Sequence, residues 1–344
     1  MRVTPLPEFQ AEAMLPATDF GRVDALLRAE AQAHGLDLHE GHGRSVWCEL
    51  DMGEFGAKKR GENVLVFARA HRPDALSSLQ DLIVRHLAGI LPDKAAALRW
   101  SSPADVGKPP VNFSLVRVGD AQRITCDFLR LRLHGPGLER LATGDSMHFR
   151  LLLPPEGDAS PQWPRLAANG QTVWPSGAKA LHRPVYTVRA VDPGADWLDT
   201  DIFLHDGGRT TDWALSDPTG RQIGLFGPSG GGIPAAHRLL LAGDETAYPA
   251  MARIIAARPD AQGEVWLLGR SDDYPFPESP GLTRHHQPGG AAALVQTLRD
   301  APPPAEAFLW MGTEKAGIAA LRDLLLGEFG HDRRQTHLAA YWSA

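Results

Sequence analysis

Apolar residues recur at helical spacing from Phe20 to His34 and again from Pro73 to Gly89, where Leu76, Leu79, Ile83, Leu87 and Ile90 fall near one face. Between the two helices, Arg44 to Asp51 and Asn63 to Ala70 read as strands. The segment to about Trp100 is thus a small α+β domain. SSPADVGKPPVN follows, gathering Pro, Gly and Ser without an apolar period, and reads as a linker.

From Phe113 to about Gly227 the pattern shortens. FSLVRV, ITCDFLRLRLHG, SMHFRLLLPP, VYTVRAVD, WLDTDIFLHD and RQIGLFG are β-rich runs between turn signals, with one helix-like insertion at Thr210 to Leu215. Alternation in SMHFRLLL and LDTDIFLH predicts an antiparallel barrel. Past the glycine cluster GPSGGG the chain alternates strands (HRLLLAG, EVWLLG, AFLWMG) with helices (ETAYPAMARIIAA, GGAAALVQTLRDA, KAGIAALRDLLLGEFG) and closes on THLAAYW. That alternation indicates parallel α/β architecture. The expectation is a multidomain chain: 1–104 small and α+β, 109–231 an antiparallel β-barrel, 235–344 an α/β domain on a parallel sheet.

Composition narrows the chemistry. The 344 residues are 43% hydrophobic and 22% charged, with net charge −6, the profile of an ordinary soluble globular protein. An acidic balance argues against nucleic-acid binding, and no apolar run approaches a membrane span. The first residues, MRVTPLPEFQAEA, lack the basic and apolar stretches of a secretory signal, so a cytoplasmic location is expected. Cys48 and Cys126 are too few for a disulfide framework or an iron–sulfur cluster, so redox chemistry would need an organic cofactor or a substrate metal.

Four blocks in order, SMHFRLLLPP, HRPVYTVRAVD with DTDIFLHDGGRTTDWA, LAGDETAYPAMARII, and WMGTEKAGIAALRDLLLGEFGHDRRQTHLAAYW, resemble the siderophore-interacting protein family, a branch of the ferredoxin reductase-like flavoenzymes. The resemblance runs from about Val111 to the C-terminus and implies FAD on the barrel and NADPH, or NADH, on the sheet. The family's Arg-x-Tyr-Thr/Ser strand is matched by Arg183, Tyr186 and Thr187, with Arg183 one residue further from the tyrosine than the pattern has it. Arg183 is assigned the FAD pyrophosphate, for which a planar guanidinium is suited. In HDGGRTTDWA the resemblance carries over His205, Thr211 and Trp213, with Arg209 and Thr210 added by position, at a turn whose helix N-terminus favours phosphate. Read without the resemblance, the strand could hold an ordinary surface arginine, and the turn could be a β-to-helix junction with an N-cap.

The next block places Asp244, Glu245 and Thr246 where a buried strand meets a helix, at the carboxyl end where parallel sheets bind ligands. By resemblance they contact the nicotinamide dinucleotide; the plainer reading makes Asp244 and Thr246 helix caps. Arg270, after the following strand, is suited to the 2′-phosphate of NADPH. Tyr341 and Trp342 match the family's terminal Tyr-Trp and are expected to finish the last strand near the flavin, by covering the ring or by packing on the sheet.

The implied activity is NAD(P)H-dependent reduction of a ferric siderophore with release of Fe(II), in which the flavin carries the chemistry and no protein acid, base or nucleophile is required. Arg209, Arg238, Lys315, Arg333 and Arg334 could attract an anionic chelate. A general flavin or quinone reductase and a non-catalytic siderophore-binding protein are the alternatives. Two patterns point elsewhere. GPSGG matches the Gly-x-Ser-x-Gly elbow of hydrolases around Ser229, with Asp244 and His337 following, yet the glycines and Pro234 after it do not start a helix, and a hinge is expected. His285–His286, His39 and His42 have no ligand-spaced partners, and no resident metal is expected. The N-terminal segment resembles a small uncharacterised bacterial domain through DALSSLQDLIVRHLAGI and LRW.

Overall fold

The computed structural model describes residues 7–343 apart from 193 and 195. The chain forms two compact units. The first comprises the chain through Ser114 together with Leu152–Arg183 and Gly224–Gly227; the second comprises Leu115–Leu151, Pro184–Ile223 and the chain from Pro228.

The first unit opens with β1 (Phe9–Leu15), α1 (Phe20–His34), β2 (Asp37–Gly41), β3 (Ser45–Leu50), β4 (Gly53–Arg60), β5 (Asn63–Ala70), α2 (Pro73–Ile90) and α3 (Pro92–Ala97). The strands form an antiparallel sheet in the order β1-β5-β4-β3-β2. Alternate residues of the sheet, among them Ala13, Cys48, Phe55, Ala57, Val64 and Val66, share one core with Val23 and Leu27 of α1 and Leu79, Ile83 and Leu87 of α2. Each fully buried Leu or Ile there contributes about 1.5–3 kcal/mol. The two helices and two of the strands lie where the apolar pattern predicts them. β1, β2 and β4 have weak patterns because their inward positions include alanine, glycine and leucine beside many charged residues, and alanine and glycine are poor strand formers. The excursion after Leu152 holds the two-residue strands β9 (Arg165–Leu166) and β10 (Thr172–Val173), paired antiparallel, a 3-10 turn over Gly177–Lys179 and a bridge between Leu153 and His182.

The barrel strands are β6 (Phe113–Arg123), β7 (Phe128–His134), β8 (His148–Leu152), β11 (Val185–Thr187), β12 (Ala190–Asp192), β13 (Trp197–Phe203) and β14 (Gln222–Ser229), in the order β11-β8-β14-β6-β7-β13-β12. VYTVRAVD is two strands rather than one. At Val188 and Arg189 the backbone leaves Met147 and joins Asp199, so the same run pairs with β8 at one end of the sheet and β13 at the other. That change of neighbour closes the sheet on itself. The short α4 (Arg209–Leu215) follows β13.

The α/β layer contains β15 (Arg238–Gly243), α5 (Tyr248–Ala257), β16 (Gln262–Leu267), β17 (Leu282–His286), α6 (Gly290–Asp300), β18 (Phe308–Glu314), α7 (Lys315–Arg322), extended by a π-helical turn over Asp323–Glu328, and β19 (Thr336–Trp342). The sheet is entirely parallel in the order β17-β16-β15-β18-β19. Leu239, Leu241 and Val265 face α5, while Leu240, Ala242 and Leu309 face α6 and α7. Burial on both faces is why these strands read as continuous apolar runs. The chain reverses its direction of strand addition between β15 and β18, and the carboxyl ends of those two strands form the crevice where such sheets take ligands. No helix among the described residues is long and apolar enough to cross a membrane.

Candidate functional site

The switch-point crevice is organised around Asp244, directly after β15. Its Oδ2 accepts from Thr313 Oγ1 at 2.7 Å and from Trp342 Nε1 at 2.8 Å, and its Oδ1 accepts from the backbone N–H and hydroxyl of Thr246. One buried carboxylate thereby ties together the ends of β15, β18 and β19. Asp244, Glu245 and Thr246 form a turn, and α5 begins only at Tyr248, without a side-chain cap. This corrects the expectation that these three residues start the helix: Asp244 is drawn into bonding its own turn and the neighbouring strands.

Glu245 turns the other way. Its Oε1 accepts the Arg270 N–H at 2.6 Å, while the Tyr248 hydroxyl accepts from Gly269 N at 3.1 Å and donates to Ser271 O at 3.0 Å. The loop after β16 is therefore pinned at three consecutive residues. A Cβ on Gly269 would lie 2.3 Å from the Glu245 carboxyl carbon, so a larger residue there would displace that carboxylate. Burial, and then the Glu245 carboxylate, push the Tyr248 hydroxyl above its ordinary pKa, keeping it a neutral donor. With the backbone held, the Arg270 side chain is exposed at the loop tip.

On the barrel, Tyr186 and Thr187 point to opposite faces of β11. The Tyr186 hydroxyl is hydrogen-bonded to Thr210 of α4, and burial raises its pKa against that bond. Thr187 is opposite His148 in the β11–β8 register, and its carbonyl accepts from Thr200 Oγ1 at 2.9 Å. Thr211 Oγ1 accepts from His205 N at 3.2 Å, closing the turn into α4. A Cβ on Gly208 would come within 2.7 Å of the His205 ring and 2.9 Å of Thr211 Oγ1, so a larger residue would displace one of those side chains. Arg209 is exposed and Trp213 half-buried on α4. A tyrosine, a threonine and a tight glycine turn into a helix form a donor set suited to FAD. Arg183 lies in the first unit, its guanidinium 4.5 Å over the ring of Trp174.

The last strand connects the sheet to the barrel. Tyr341 Oη is 2.8 Å from His148 Nε2, and its ring packs edge-on to Trp310. Trp342 stays 45% exposed while its indole N–H is held by Asp244. Burial, then His337 and Arg253, push the His148 pKa down to about 4, so the imidazole is neutral near pH 7.

Arg253 was not singled out in the sequence. Although buried, it donates to the carbonyls of Met147 (3.1 Å), Val188 (3.0 Å), Leu141 (3.4 Å) and Thr143 (2.7 Å). Burial lowers its pKa to about 10, which leaves it charged. Two of its acceptors immediately flank His148 and Thr187. The available signal was an arginine inside the otherwise apolar helix YPAMARIIAA. A second buried ionic group joins the same layers: Arg130 forks onto Asp201 at 2.7 and 2.8 Å, and Tyr274 donates to the same carboxylate.

The competing patterns have structural roles. Ser229 ends β14, no helix follows it, and its hydroxyl reaches His148 O at 3.4 Å. His337 stacks on Trp310. His285 stacks on Trp266 at 4.2 Å, whereas His286 Nε2 lies 3.1 Å from Gly269 O, so the adjacent rings diverge. No group of three or more potential metal ligands is gathered among the described residues.

Sequence comparison matches residues 117–232 to a siderophore-interacting FAD-binding domain and residues 236–344 to a siderophore-interacting protein domain. The chain is 28% identical over 245 residues to the ferric vibriobactin reductase ViuB of Vibrio cholerae, an alignment covering 63% of this chain and 88% of that protein. Among solved structures, it resembles the siderophore-interacting protein SipS from Aeromonas hydrophila (TM-score 0.57, 25% identity, 68% of this chain and 93% of that one). It likewise resembles a siderophore utilization protein from T. fusca (TM-score 0.58, 27% identity, 67% and 92%). The matched residues begin at 117, past the N-terminal sheet.

Proposed function

The chain belongs to the siderophore-interacting protein family, and from that premise we propose that it is a cytoplasmic, FAD-dependent ferric siderophore reductase driven by NADPH or NADH. The observation that carries this reading is Asp244 at the switch point, bonded to Thr313 and Trp342, with the neighbouring Tyr341 joined to the barrel at His148 opposite Thr187. A crevice for a nicotinamide nucleotide and a strand for a flavin are thus linked through consecutive residues of β19.

FAD, when bound, supplies hydride acceptance and one-electron transfer. Arg183 binds its pyrophosphate. Tyr186 and Thr187 of β11 would line the ribityl chain and the isoalloxazine, and His205, Arg209, Thr210, Thr211 and Trp213 form the turn and helix that follow β13. On the sheet, Asp244, Glu245 and Thr246 shape the nicotinamide crevice and Arg270 receives the 2′-phosphate of NADPH. Tyr341 and Trp342 fix the end of β19 between the two sites. The substrate is a ferric chelate, and one NADPH supplies the electrons for two Fe(III) ions, leaving NADP⁺, one H⁺ and two Fe(II). Ferrous iron binds hard oxygen ligands less tightly than ferric iron, which releases it.

An anaerobic absorbance trace tests the proposal. FAD-loaded protein should bleach on NADPH and recover as a ferric siderophore is added, with a ferrous chelator reporting the product. Protein that takes up no flavin would leave a binding role only. Flavin that bleaches but is not reoxidised by the ferric chelate would point to a general flavin reductase.

A further inference from the structure

The excursion after Leu152 contains two short strands, β9 and β10, a single 3-10 turn over Gly177–Lys179 and a Leu153–His182 bridge at its base, so most of its length has no regular structure of its own. Its middle is bonded to the N-terminal module. Trp100, 5% exposed, donates from Nε1 to Asn169 O at 2.8 Å, and Asn169, 6% exposed, returns a bond from Nδ2 to Ala95 O at 3.0 Å. On α2, Asp81 Oδ1 accepts the Thr172 N–H at 2.8 Å while Arg85 holds Oδ2 at 3.0 Å. Ser78, one helical turn earlier, accepts from Asn112 Nδ2 at 3.3 Å, and Asn112 O in turn accepts from Gly227 N at 2.9 Å.

Two residues beyond Thr172 stands Trp174. Its ring packs against Phe226 at 4.8 Å and carries the Arg183 guanidinium on its face at 4.5 Å. A continuous path therefore leads from Asp81 and Trp100 through Asn169 and Thr172 to Trp174 and Arg183. Each step is a hydrogen bond, a ring contact or a short stretch of backbone.

We propose that the N-terminal module is a brace for the flavin site, holding the excursion in the conformation that presents Arg183 to the FAD pyrophosphate. The proposal rests on the pyrophosphate role given to Arg183 above. An arginine stacked on a fixed ring has its fork oriented before a phosphate arrives, and a side chain that is already ordered loses less entropy on binding. The segment before the ring is held by bonds to α2, α3 and Trp100, and these bonds add to the contact of the ring with Phe226. The module therefore raises FAD affinity without touching FAD.

The test is FAD affinity of the full chain by fluorescence titration, with hydrogen exchange over residues 165–174, for Asp81→Ala, Trp100→Phe, Trp174→Leu and Arg183→Ala. Arg183→Ala and Trp174→Leu should weaken FAD by about 10- to 100-fold, the scale of a charge-assisted phosphate contact. Asp81→Ala and Trp100→Phe should each weaken it about 5- to 20-fold and speed exchange over 165–174. The Asp81→Ala, Arg183→Ala double variant should bind no more weakly than Arg183→Ala alone, because the brace acts through that arginine. Unchanged FAD affinity in both Asp81→Ala and Trp100→Phe, or additive losses in the double variant, overturns the brace and leaves the Arg183 assignment standing. Unchanged affinity in Arg183→Ala overturns that assignment and the brace with it. Trp100→Phe keeps an aromatic side chain in the core while deleting the Nε1 donor, so the comparison survives if Asp81→Ala does not fold.

Discussion

The guanidinium of Arg253 donates to Val188 O at 3.0 Å, so a helix of the α/β layer grips the barrel backbone one residue beyond Thr187. The same group takes Met147 O, one residue before His148. The start of β8 and the end of β11 are thus both set by a side chain that lies outside the barrel.

Replacing Arg253 by Met should therefore cost about 3–5 kcal/mol in urea unfolding, since the carbonyls it serves would be left without their charged donor. Arg253→Lys should fall between, with its charge intact but no planar fork to span both strands. A loss below about 1 kcal/mol for Arg253→Met would mean that water serves those carbonyls equally well.

Acid should weaken the folded protein through His148. Its folded pKa, near 4, lies below the ordinary histidine value, so the unfolded chain binds the extra proton first. The stability in question is fully present above about pH 6.5 and is lost as pH falls from there toward 4, by on the order of 3 kcal/mol. Tyr341, His337 and Arg253 surround the ring, and burial also lowers the pKa of His337, which adds loss of the same sign. His148→Gln should flatten the dependence of Tm on pH across that window relative to the parent.

Arg270→Ala should raise KM for NADPH about tenfold or more and change KM for NADH little. The arginine side chain stands free on a loop whose backbone Glu245 and Tyr248 already fix, so its loss should leave folding intact. Equal effects on the two nucleotides would remove it from the 2′-phosphate.

Trp342→Phe should raise KM for the nicotinamide nucleotide about three- to tenfold, the equivalent of one ordinary net hydrogen bond. The carboxylate of Asp244 would retain Thr313 and Thr246 but lose its link to β19. Steady-state kinetics with FAD held saturating separates this from loss of flavin.

The elements legible in the sequence were those whose period is carried by large apolar side chains. Leu76, Leu79, Ile83 and Leu87 of α2 announce a helix, and the runs at β15 and β18 announce buried parallel strands. β4, GEFGAKKR, gives no such signal because its place depends on the strands to either side. The site divides in the same way. Asp244 could be found as a residue at a strand's carboxyl end, but its partners Thr313 and Trp342 lie far along the chain and are joined to it only by sheet order. His148 and Arg253 were hidden for a different reason: a histidine in a strand and an arginine in a helix look like surface residues until the layers meet over them.

The excursion also fixes an order of events during synthesis. N-terminal segments leave the ribosome first and fold as units. The module's helices and strands are all local to its own stretch of chain, so it can be complete when residues 152–183 emerge. The strands that close the barrel, β11 to β14, come later still. The segment least able to organise itself therefore meets a finished template before the barrel has its last staves, and a nascent chain that stalls between Arg183 and Gly227 would display an ordered excursion beside an open sheet.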